Sequence, residues 1–155
     1  MVTRRVVLVA DDDENDIKLL RRAFQKAGID TPIAAVRDGE EAIHYLQGAK
    51  PYGDRDSFPI PALLILDLKM PRTDGFEVLE WLRQQSGLKQ MLVVVMTSSD
   101  EPQDIDRAYD LGANSFVKKP SDFTSLTAIS QKLYNYWLET NLAPSCAPLC
   151  HGRMG

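Results

Sequence analysis

The residues of this sequence that could do chemistry come directly after short apolar runs. The clearest case is Asp67, which follows the unbroken run Leu63–Leu66 and precedes turn residues such as Asp74-Gly75. An apolar run without alternation is typical of a strand that is buried on both faces of a parallel sheet. A carboxylate at the end of such a strand lies at the carboxyl edge of the sheet, where open α/β sheets bind ligands. Asp67 is therefore a candidate for chemistry, and the alternative is that it only caps the following turn.

Four further polar residues follow other apolar runs in the same way: Asp11 and Asp12 after 6–10, Thr97 after 91–96, and Lys119 after 115–117. Because parallel strands end along one edge of their sheet, we expect these side chains to converge with Asp67. Three converging carboxylates repel one another, and a hard divalent cation relieves this repulsion, with Mg²⁺ the best match. A hydroxyl and an ammonium group at the same edge are suitable partners for phosphoryl oxygens.

Strands and helices alternate along the chain to position these residues. After the first acidic cluster, Ile17, Leu20 and Phe24 recur at helical spacing until Gly28 ends the helix. Five such alternations predict an α/β fold with a doubly wound parallel sheet and helices on both faces. The segment 48–61, rich in proline, glycine and charge, is predicted to be an inserted surface loop. We predict one domain over 1–140 and a flexible tail over 141–155.

Composition narrows the class of protein. The 155 residues are 44% hydrophobic, enough for one globular domain, and the formal net charge of −4 predicts neither nucleic-acid nor membrane binding. No apolar run approaches the roughly 18 residues of a membrane span, so we expect a cytoplasmic protein. Cys146 and Cys150 offer no disulfide framework. With His151 they could bind zinc, but three potential ligands on a Pro/Gly-rich tail make a poor site.

Taken together, these motifs resemble a known family. Asp11-Asp12, Asp67 in LDLKMPRTDG, Thr97 in MTSSD and Lys119 in FVKKP are similar to the receiver domain of two-component response regulators, over about 6–137 of the chain. The resemblance implies a flavodoxin-like fold with strand order 2-1-3-4-5. The 48–61 loop and the ending YNYWLETNLAP further resemble the stand-alone regulators that pair with bacterial and cyanobacterial phytochrome histidine kinases.

The resemblance also implies a role for each site residue. Asp67 is expected to take a phosphoryl group from a kinase histidine, giving an aspartyl phosphate. Mg²⁺ is expected to bind Asp12 directly, Asp11 through water, Asp67, and the main-chain carbonyl of Lys69. Lys119 would donate to one phosphoryl oxygen, and the Thr97 hydroxyl would move to another.

The same resemblance predicts a conformational switch. Phe116 stands where many receivers carry a tyrosine, and with Thr97 it would form the switch. Of the adjacent lysines, Lys119 matches the family's lysine, because Lys118 points the same way as Phe116 along the strand. We also expect a cis peptide bond at Lys119-Pro120 that aims the lysine at Asp67, and a trans bond is expected to leave Lys119 poorly placed.

The expected partners are proteins. They are a sensor histidine kinase, a downstream protein or phosphotransfer partner, and a second copy of this chain. A homodimer is expected because the fifth helix carries Tyr134, Tyr136 and Leu138 beyond its core-facing residues. No output domain follows that helix in the sequence, so signalling would proceed by contact or by phosphoryl relay. The protein is expected to catalyse only its own phosphorylation and dephosphorylation.

Three other classes remain to be compared with this hypothesis. A dinucleotide-binding domain would follow its first strand with a glycine-rich turn, whereas this chain has DDDEND. A metal-dependent phosphatase with an aspartate nucleophile would normally have a general acid two residues after Asp67, where this chain has Lys69. A phosphorylation-independent interaction module with the receiver fold would not need the complete set of Asp12, Asp67, Thr97 and Lys119.

Overall fold

Five parallel strands form one sheet in the order β2-β1-β3-β4-β5. The structure, a computed structural model, describes residues 5–144. The strands are β1 (Val7–Ala10), β2 (Ile33–Val36), β3 (Leu63–Leu66), β4 (Val93–Thr97) and β5 (Ser115–Lys118). This topology confirms the predicted doubly wound, flavodoxin-like α/β fold. The central strands β1, β3 and β4 are buried along their whole length, as their unbroken apolar sequences predicted.

Helices cover both faces of this sheet. They are α1 (Glu14–Lys26), α2 (Gly39–Gln47), α3 (Gly75–Arg83), α4 (Pro102–Asp110) and α5 (Phe123–Leu133), and a π-helix (Tyr134–Thr140) continues α5. Helices α1 and α5 pack together over one face, and α3 packs between α2 and α4 over the other. Aspartates at the N-caps of α1, α2, α3 and α5 accept hydrogen bonds from the first turn of each helix. These N-cap residues are Asp13, Asp38, Asp74 and Asp122, and each starts the helix that follows a strand.

The two core clusters follow from alternation along the strands. Leu64 and Leu66 of β3 point to the cluster under α2, α3 and α4, whereas Leu63 and Ile65 point to the cluster under α1 and α5. Asp67 continues β3 at the carboxyl edge, where both clusters end. The fold therefore delivers this carboxylate to the rim of the core.

The predicted surface loop 48–61 is packed onto the end of α2. Arg55 donates to the carbonyl oxygens of Tyr45 at 2.9 Å, Leu46 at 2.9 Å and Phe58 at 3.1 Å. The ring of Tyr45 is buried, with its centroid 5.1 Å from that of Tyr52 and 6.0 Å from that of Phe58. The guanidinium group thus satisfies helix-end carbonyls, and the aromatic rings give the segment a small core of its own.

The last helical segment is less exposed than its sequence suggested. Leu138 is buried and Tyr134 is partly buried, whereas Tyr136 keeps 51% of its surface exposed. Arg5 donates to the carbonyl oxygen of Leu138, which ties the start of the described chain to the π-helix. The predicted apolar surface beyond the core is therefore smaller than we expected.

Two further predictions concern membrane-spanning segments and the C-terminal tail. None of the helices within residues 5–144 is long and apolar enough to cross a membrane. The possible zinc ligands Cys146, Cys150 and His151 lie outside the described residues, as does most of the predicted tail 141–155.

Candidate functional site

The ends of β1 and β3 place two carboxylates side by side. Ala10 and Leu66 are register partners, and the Asp67 backbone N–H donates to the Ala10 carbonyl oxygen at 2.9 Å. On the other side of β1, the Asp11 backbone N–H donates to the Val36 carbonyl oxygen at 3.1 Å. Sheet hydrogen bonding therefore continues one residue past the strands. Asp11 and Asp67 are each only 6% exposed.

A third carboxylate, that of exposed Asp12, joins this pair. Within residues 5–144, Asp11, Asp12 and Asp67 each offer a carboxylate oxygen, and these oxygens lie within 4.8 Å of one another. Lys69 follows closely, because its backbone N–H donates to Asp67 Oδ1 at 3.4 Å. Hard divalent cations bind such oxygen clusters, with the remaining positions filled by waters and carbonyl oxygens. The three aspartates predicted to hold a cation therefore have the donor atoms and the spacing to fit one.

Lys119 lies at the centre of the negative charge. Its ammonium Nζ is 2.9 Å from Asp11 Oδ2, 2.8 Å from Asp16 Oδ2 and 2.9 Å from Asp67 Oδ2. The backbone N–H of Lys119 donates to the Thr97 carbonyl oxygen at 2.7 Å, which fixes the residue directly after β5. The adjacent Lys118 instead points to solvent and pairs with Asp100 at 3.0 Å. Lys119, and not Lys118, is therefore the lysine that lies beside Asp67.

Burial and charge alter the acid–base properties of this cluster. Burial raises the pKa of the Asp11 carboxyl group to about 6, against the opposing effects of the Asp13 backbone N–H and Lys119. Burial alone would lower the pKa of Lys119, but its hydrogen bonds to Asp16, Asp11 and Asp67 outweigh this and raise it. The Lys119 ammonium group therefore remains charged at neutral pH. Keeping the buried Asp11 carboxylate ionised costs folding free energy.

The Thr97 hydroxyl occupies the other oxygen of Asp67. Thr97 ends β4, is 1% exposed, and donates from Oγ1 to Asp67 Oδ1 at 2.8 Å. Phe116 pairs in register with Val95 on the neighbouring strand and packs, partly buried, against the core. Thr97 and Lys119 therefore each donate to one of the two carboxylate oxygens of Asp67. Phe116 lies on β5, the strand that leads to Lys119.

The prediction of a cis peptide bond at Lys119-Pro120 is wrong. Among the described residues, the cis bond is Lys50-Pro51, and Lys119-Pro120 is trans. Lys119 nevertheless reaches Asp67, because its long side chain spans the remaining distance from the end of β5. The expectation that a trans bond would leave this lysine poorly placed is therefore also wrong.

Close backbone contacts hold the loop after Asp67. A Cβ atom at Gly75 would lie 2.3 Å from the Asp67 carbonyl oxygen, and one at Gly39 would lie 1.9 Å from that of Thr73. Both distances are too short for any side chain, so the starts of α3 and α2 need glycine to approach this loop. The Asp67 backbone is thus packed directly against the first turn of α3.

Sequence reasoning missed Asp16, the third carboxylate on Lys119. Asp16 lies in the first turn of α1, where an acidic residue is expected simply because it favours the positive end of the helix dipole. Its spacing from Asp11 and Asp12 carries no separate signal. The contact depends on how α1 packs beside the loop after β5, which only the fold reveals.

This fold and site define a receiver domain of the two-component type. Residues 7–131 match the family model "Response regulator receiver domain", and the chain belongs to that family.

Similar proteins refine the comparison. The chain is 33% identical over 141 residues to the response regulator Rcp1 of Synechocystis sp., covering 91% of this chain and 94% of the relative. The crystal structure of the phosphorylated cyanobacterial phytochrome response regulator RcpA is 31% identical, with a TM-score of 0.84 over 92% of this chain and all of that one. A solved structure of Rcp1, described as its Mn²⁺-bound form, is 33% identical with a TM-score of 0.80, covering 91% of this chain and 99% of that one. The protein is thus a receiver-domain response regulator similar to phytochrome-linked regulators.

Proposed function

We propose that the protein accepts a phosphoryl group on Asp67 from a sensor histidine kinase, in a reaction that requires Mg²⁺. The observation that carries this proposal is the pair of donors on Asp67, with Thr97 Oγ1 at 2.8 Å on one carboxylate oxygen and Lys119 Nζ at 2.9 Å on the other. An Asp67 oxygen attacks phosphorus while the phosphorus–nitrogen bond of the phosphohistidine breaks. The bonding electron pair returns to the imidazole nitrogen, which takes up a proton.

The neighbouring residues support this transfer. Asp11, Asp12, Asp67 and the Lys69 carbonyl would hold Mg²⁺, which, when bound, neutralises charge on the phosphoryl oxygens. The Lys119 ammonium group, which donates to carboxylate oxygens, could instead donate a hydrogen bond to a phosphoryl oxygen. The protein catalyses its own phosphorylation and dephosphorylation and acts on no other substrate.

Thr97 and Phe116 form the proposed switch. A phosphoryl group on Asp67 offers the Thr97 hydroxyl a new acceptor farther from β3, so Thr97 would shift toward it. Phe116, partly buried on the adjacent strand, would follow into the vacated space. The resulting change at α4 and β5 would be recognised by a downstream protein, or the phosphoryl group would pass onward to a phosphotransfer partner.

The kinase is proposed to be of the phytochrome type. RcpA is described as a phytochrome response regulator, and a 33% identical structure from R. palustris, with a TM-score of 0.86 covering 91% of this chain and 99% of that one, is described as acting in red light signalling. A cytoplasmic location follows from this pairing, because two-component kinases present their phosphohistidine to the cytoplasm.

Phosphorylation of the purified protein by acetyl phosphate tests the proposal. Labelling is expected with Mg²⁺, also with Mn²⁺, and not with excess EDTA. A matched Asp12→Ala protein should need a higher Mg²⁺ concentration for the same rate. Equal labelling in EDTA would contradict the metal requirement, and no labelling under any condition would support the alternative of a phosphorylation-independent interaction module.

We further propose that the protein forms a homodimer through the end of α5 and its π-helix. Tyr136 in this segment and Leu142 just beyond it are exposed, and a second copy would cover them. Light scattering should show a dimer at about 50 μM protein. Tyr136→Glu should yield a monomer, whereas Tyr109→Glu, at an equally exposed tyrosine on α4, should not. A monomeric wild-type protein with and without a phosphoryl mimic would rule the dimer out.

A further inference from the structure

The Asp16–Lys119 contact joins two elements that are distant in sequence. Lys119 Nζ donates to Asp16 Oδ2 at 2.8 Å, the shortest of its three carboxylate contacts. The side chain of Lys119 is 16% exposed and that of Asp16 is 36% exposed. A charge-assisted hydrogen bond in this partly buried position is stronger than one between freely exposed side chains.

Asp16 lies outside the possible cation site to which the other two carboxylates on Lys119 belong. Within the described chain, Asp11 and Asp67 belong to the cluster whose oxygens lie close enough to hold one cation, and Asp16 does not. A cation at that cluster and the Lys119 ammonium group compete for Asp11 and Asp67. Asp16 is therefore the carboxylate that remains available to Lys119 when the other two are engaged.

The cavity beside the pair is lined by α1 residues that are mostly apolar. A cavity of about 60 Å³ lies beside the pair, between α1, α5 and the sheet. The residues of α1 that line it are Asp16, Leu19 and Leu20. An ammonium group cannot enter an apolar wall without losing its hydrogen bonds. Among the α1 residues that line this cavity, Asp16 is therefore the one whose side chain can accept a hydrogen bond from Lys119.

Helix α1 holds Asp16 firmly in place. The Asp13 side chain accepts from the backbone N–H groups of Asn15 and Asp16 at the N-cap. Ile17 and Leu20 bury their side chains in the core cluster shared with α5. Asp16 is thus attached to a rigid element and can fix the direction of a flexible lysine.

We infer that Asp16 is a positioning residue that keeps the Lys119 ammonium group over Asp67 while Asp11 and Asp67 are engaged, so that Lys119 is ready to donate to the incoming phosphoryl group. This inference rests on the proposed phosphorylation of Asp67. In this proposal Asp16 acts through Lys119 and is not itself a partner of the phosphoryl group or of the cation.

The first test compares phosphorylation rates with acetyl phosphate and Mg²⁺. Asp16→Ala should slow labelling by about fivefold, because the charge-assisted contact with Lys119 is lost. Asp16→Asn keeps an acceptor oxygen and should restore most of the rate. Glu14→Ala is the matched control, because Glu14 is an acidic residue in the same turn of α1 that does not contact Lys119. Equal rates for Asp16→Ala and wild type would overturn the inference.

A double-mutant cycle separates positioning from a general structural effect. If Asp16 acts through Lys119, Asp16→Ala should have no further effect on the slow labelling of a Lys119→Ala protein. The same fold-change in both backgrounds would show that Asp16 acts by another route and would overturn the inference.

A readout without phosphoryl transfer distinguishes this inference from the proposed function. In buffer that contains Mg²⁺ but no phosphoryl donor, acylation of Lys119 by an amine-reactive ester, located by peptide mass spectrometry, should be about threefold faster in Asp16→Ala than in wild type or Glu14→Ala. Unchanged acylation would contradict the anchoring role even if Asp67 is phosphorylated. Faster acylation in a protein that takes up no phosphoryl group would leave the anchor established and refute the proposed function.

Discussion

The carboxyl edge of the sheet and the 48–61 segment are both rich in polar groups, but their interactions differ in kind. At the sheet edge, buried Asp11 and Asp67 share one ammonium group, Lys119, with Asp16, so negative charge is left in excess. Where the 48–61 segment packs on α2, Arg55 binds uncharged carbonyl oxygens, and Tyr52 and Phe58 pack their rings with that of Tyr45 on α2. The first region has interactions left to make with a ligand, whereas the second has completed them within the fold.

This difference separates function from stability. Buried like charges cost free energy that a bound cation or phosphoryl group can offset, which is a common property of functional sites. Packed rings and satisfied helix-end carbonyls contribute to the free energy of unfolding and have no chemistry of their own. Substitutions at the sheet edge should therefore change phosphorylation more than stability. Substitutions in the 48–61 segment, or at the α2 residues that it packs against, should do the reverse.

The largest expected effect is the loss of phosphorylation in Asp67→Ala. No other carboxylate at the edge has both Thr97 and Lys119 as donors on its oxygens. Labelling by acetyl phosphate should fall to background, while the free energy of unfolding changes by no more than about 1 kcal/mol, since Lys119 keeps Asp11 and Asp16. Denaturant unfolding measured beside labelling checks both parts, and undiminished labelling would refute the assignment of Asp67.

The opposite result is expected for Tyr45→Ala. Its ring is almost fully buried at the end of α2, and its hydroxyl donates to the Pro59 carbonyl oxygen at 2.9 Å. Removing a buried aromatic side chain should lower the free energy of unfolding by about 3–5 kcal/mol. The labelling rate of the folded protein, measured well below its unfolding temperature, should stay close to that of wild type. A strongly reduced rate in fully folded protein would mean that the two regions are coupled.

A stabilising effect is expected for Asp11→Asn in EDTA. The pKa of Asp11 is raised from 3.8 to about 6, so between these values the folded state binds the proton more tightly than the unfolded state. The contribution of Asp11 to stability therefore falls as pH rises through this window. Asp11→Asn should remove that fall and stabilise the metal-free protein at pH 7 by about 1 kcal/mol, after the lost contact with Lys119 is allowed for. Denaturant unfolding from pH 4 to 7 measures this, and an unchanged pH dependence would contradict the burial argument.

The smallest effect is expected for Tyr52→Phe. The Tyr52 hydroxyl donates to Glu41 Oε2 at the start of α2, and burial followed by this contact raises the pKa of Tyr52. Losing the hydrogen bond while keeping the ring should lower the free energy of unfolding by about 1 kcal/mol and leave labelling unchanged. A loss as large as that of Tyr45→Ala would show that the hydroxyl, and not the ring packing, orders the segment.

The sequence predicted the sheet edge much better than the 48–61 segment. Unbroken apolar runs identify buried parallel strands, and the polar residue after each run must lie at the common edge. Asp11, Asp67, Thr97 and Lys119 could therefore be brought together by position alone. The 48–61 segment has no period, and the contacts of Arg55 depend on where α2 ends in space. No local pattern encodes that arrangement.

The remaining errors have similar causes. The contact of Asp16 with Lys119 depends on the packing of α1 against the loop after β5, and the burial of Leu138 depends on how the π-helix packs against the core cluster under α1 and α5. The cis bond expected at Lys119-Pro120 rests on the family resemblance and on the argument that a cis turn aims the lysine, and neither specifies how far the end of β5 lies from Asp67. Each case involves the relative placement of two elements, and single-element periodicity contains no information about it.

Chemical trapping of the phosphorylated residue tests the central claim most directly. An aspartyl phosphate is reduced by borohydride to homoserine, and peptide mass spectrometry locates the altered residue. After treatment with acetyl phosphate and Mg²⁺, homoserine should be found at position 67 and should be absent when EDTA replaces Mg²⁺. Homoserine at Asp11 or Asp12, or an unaltered residue 67 in labelled protein, would contradict the account.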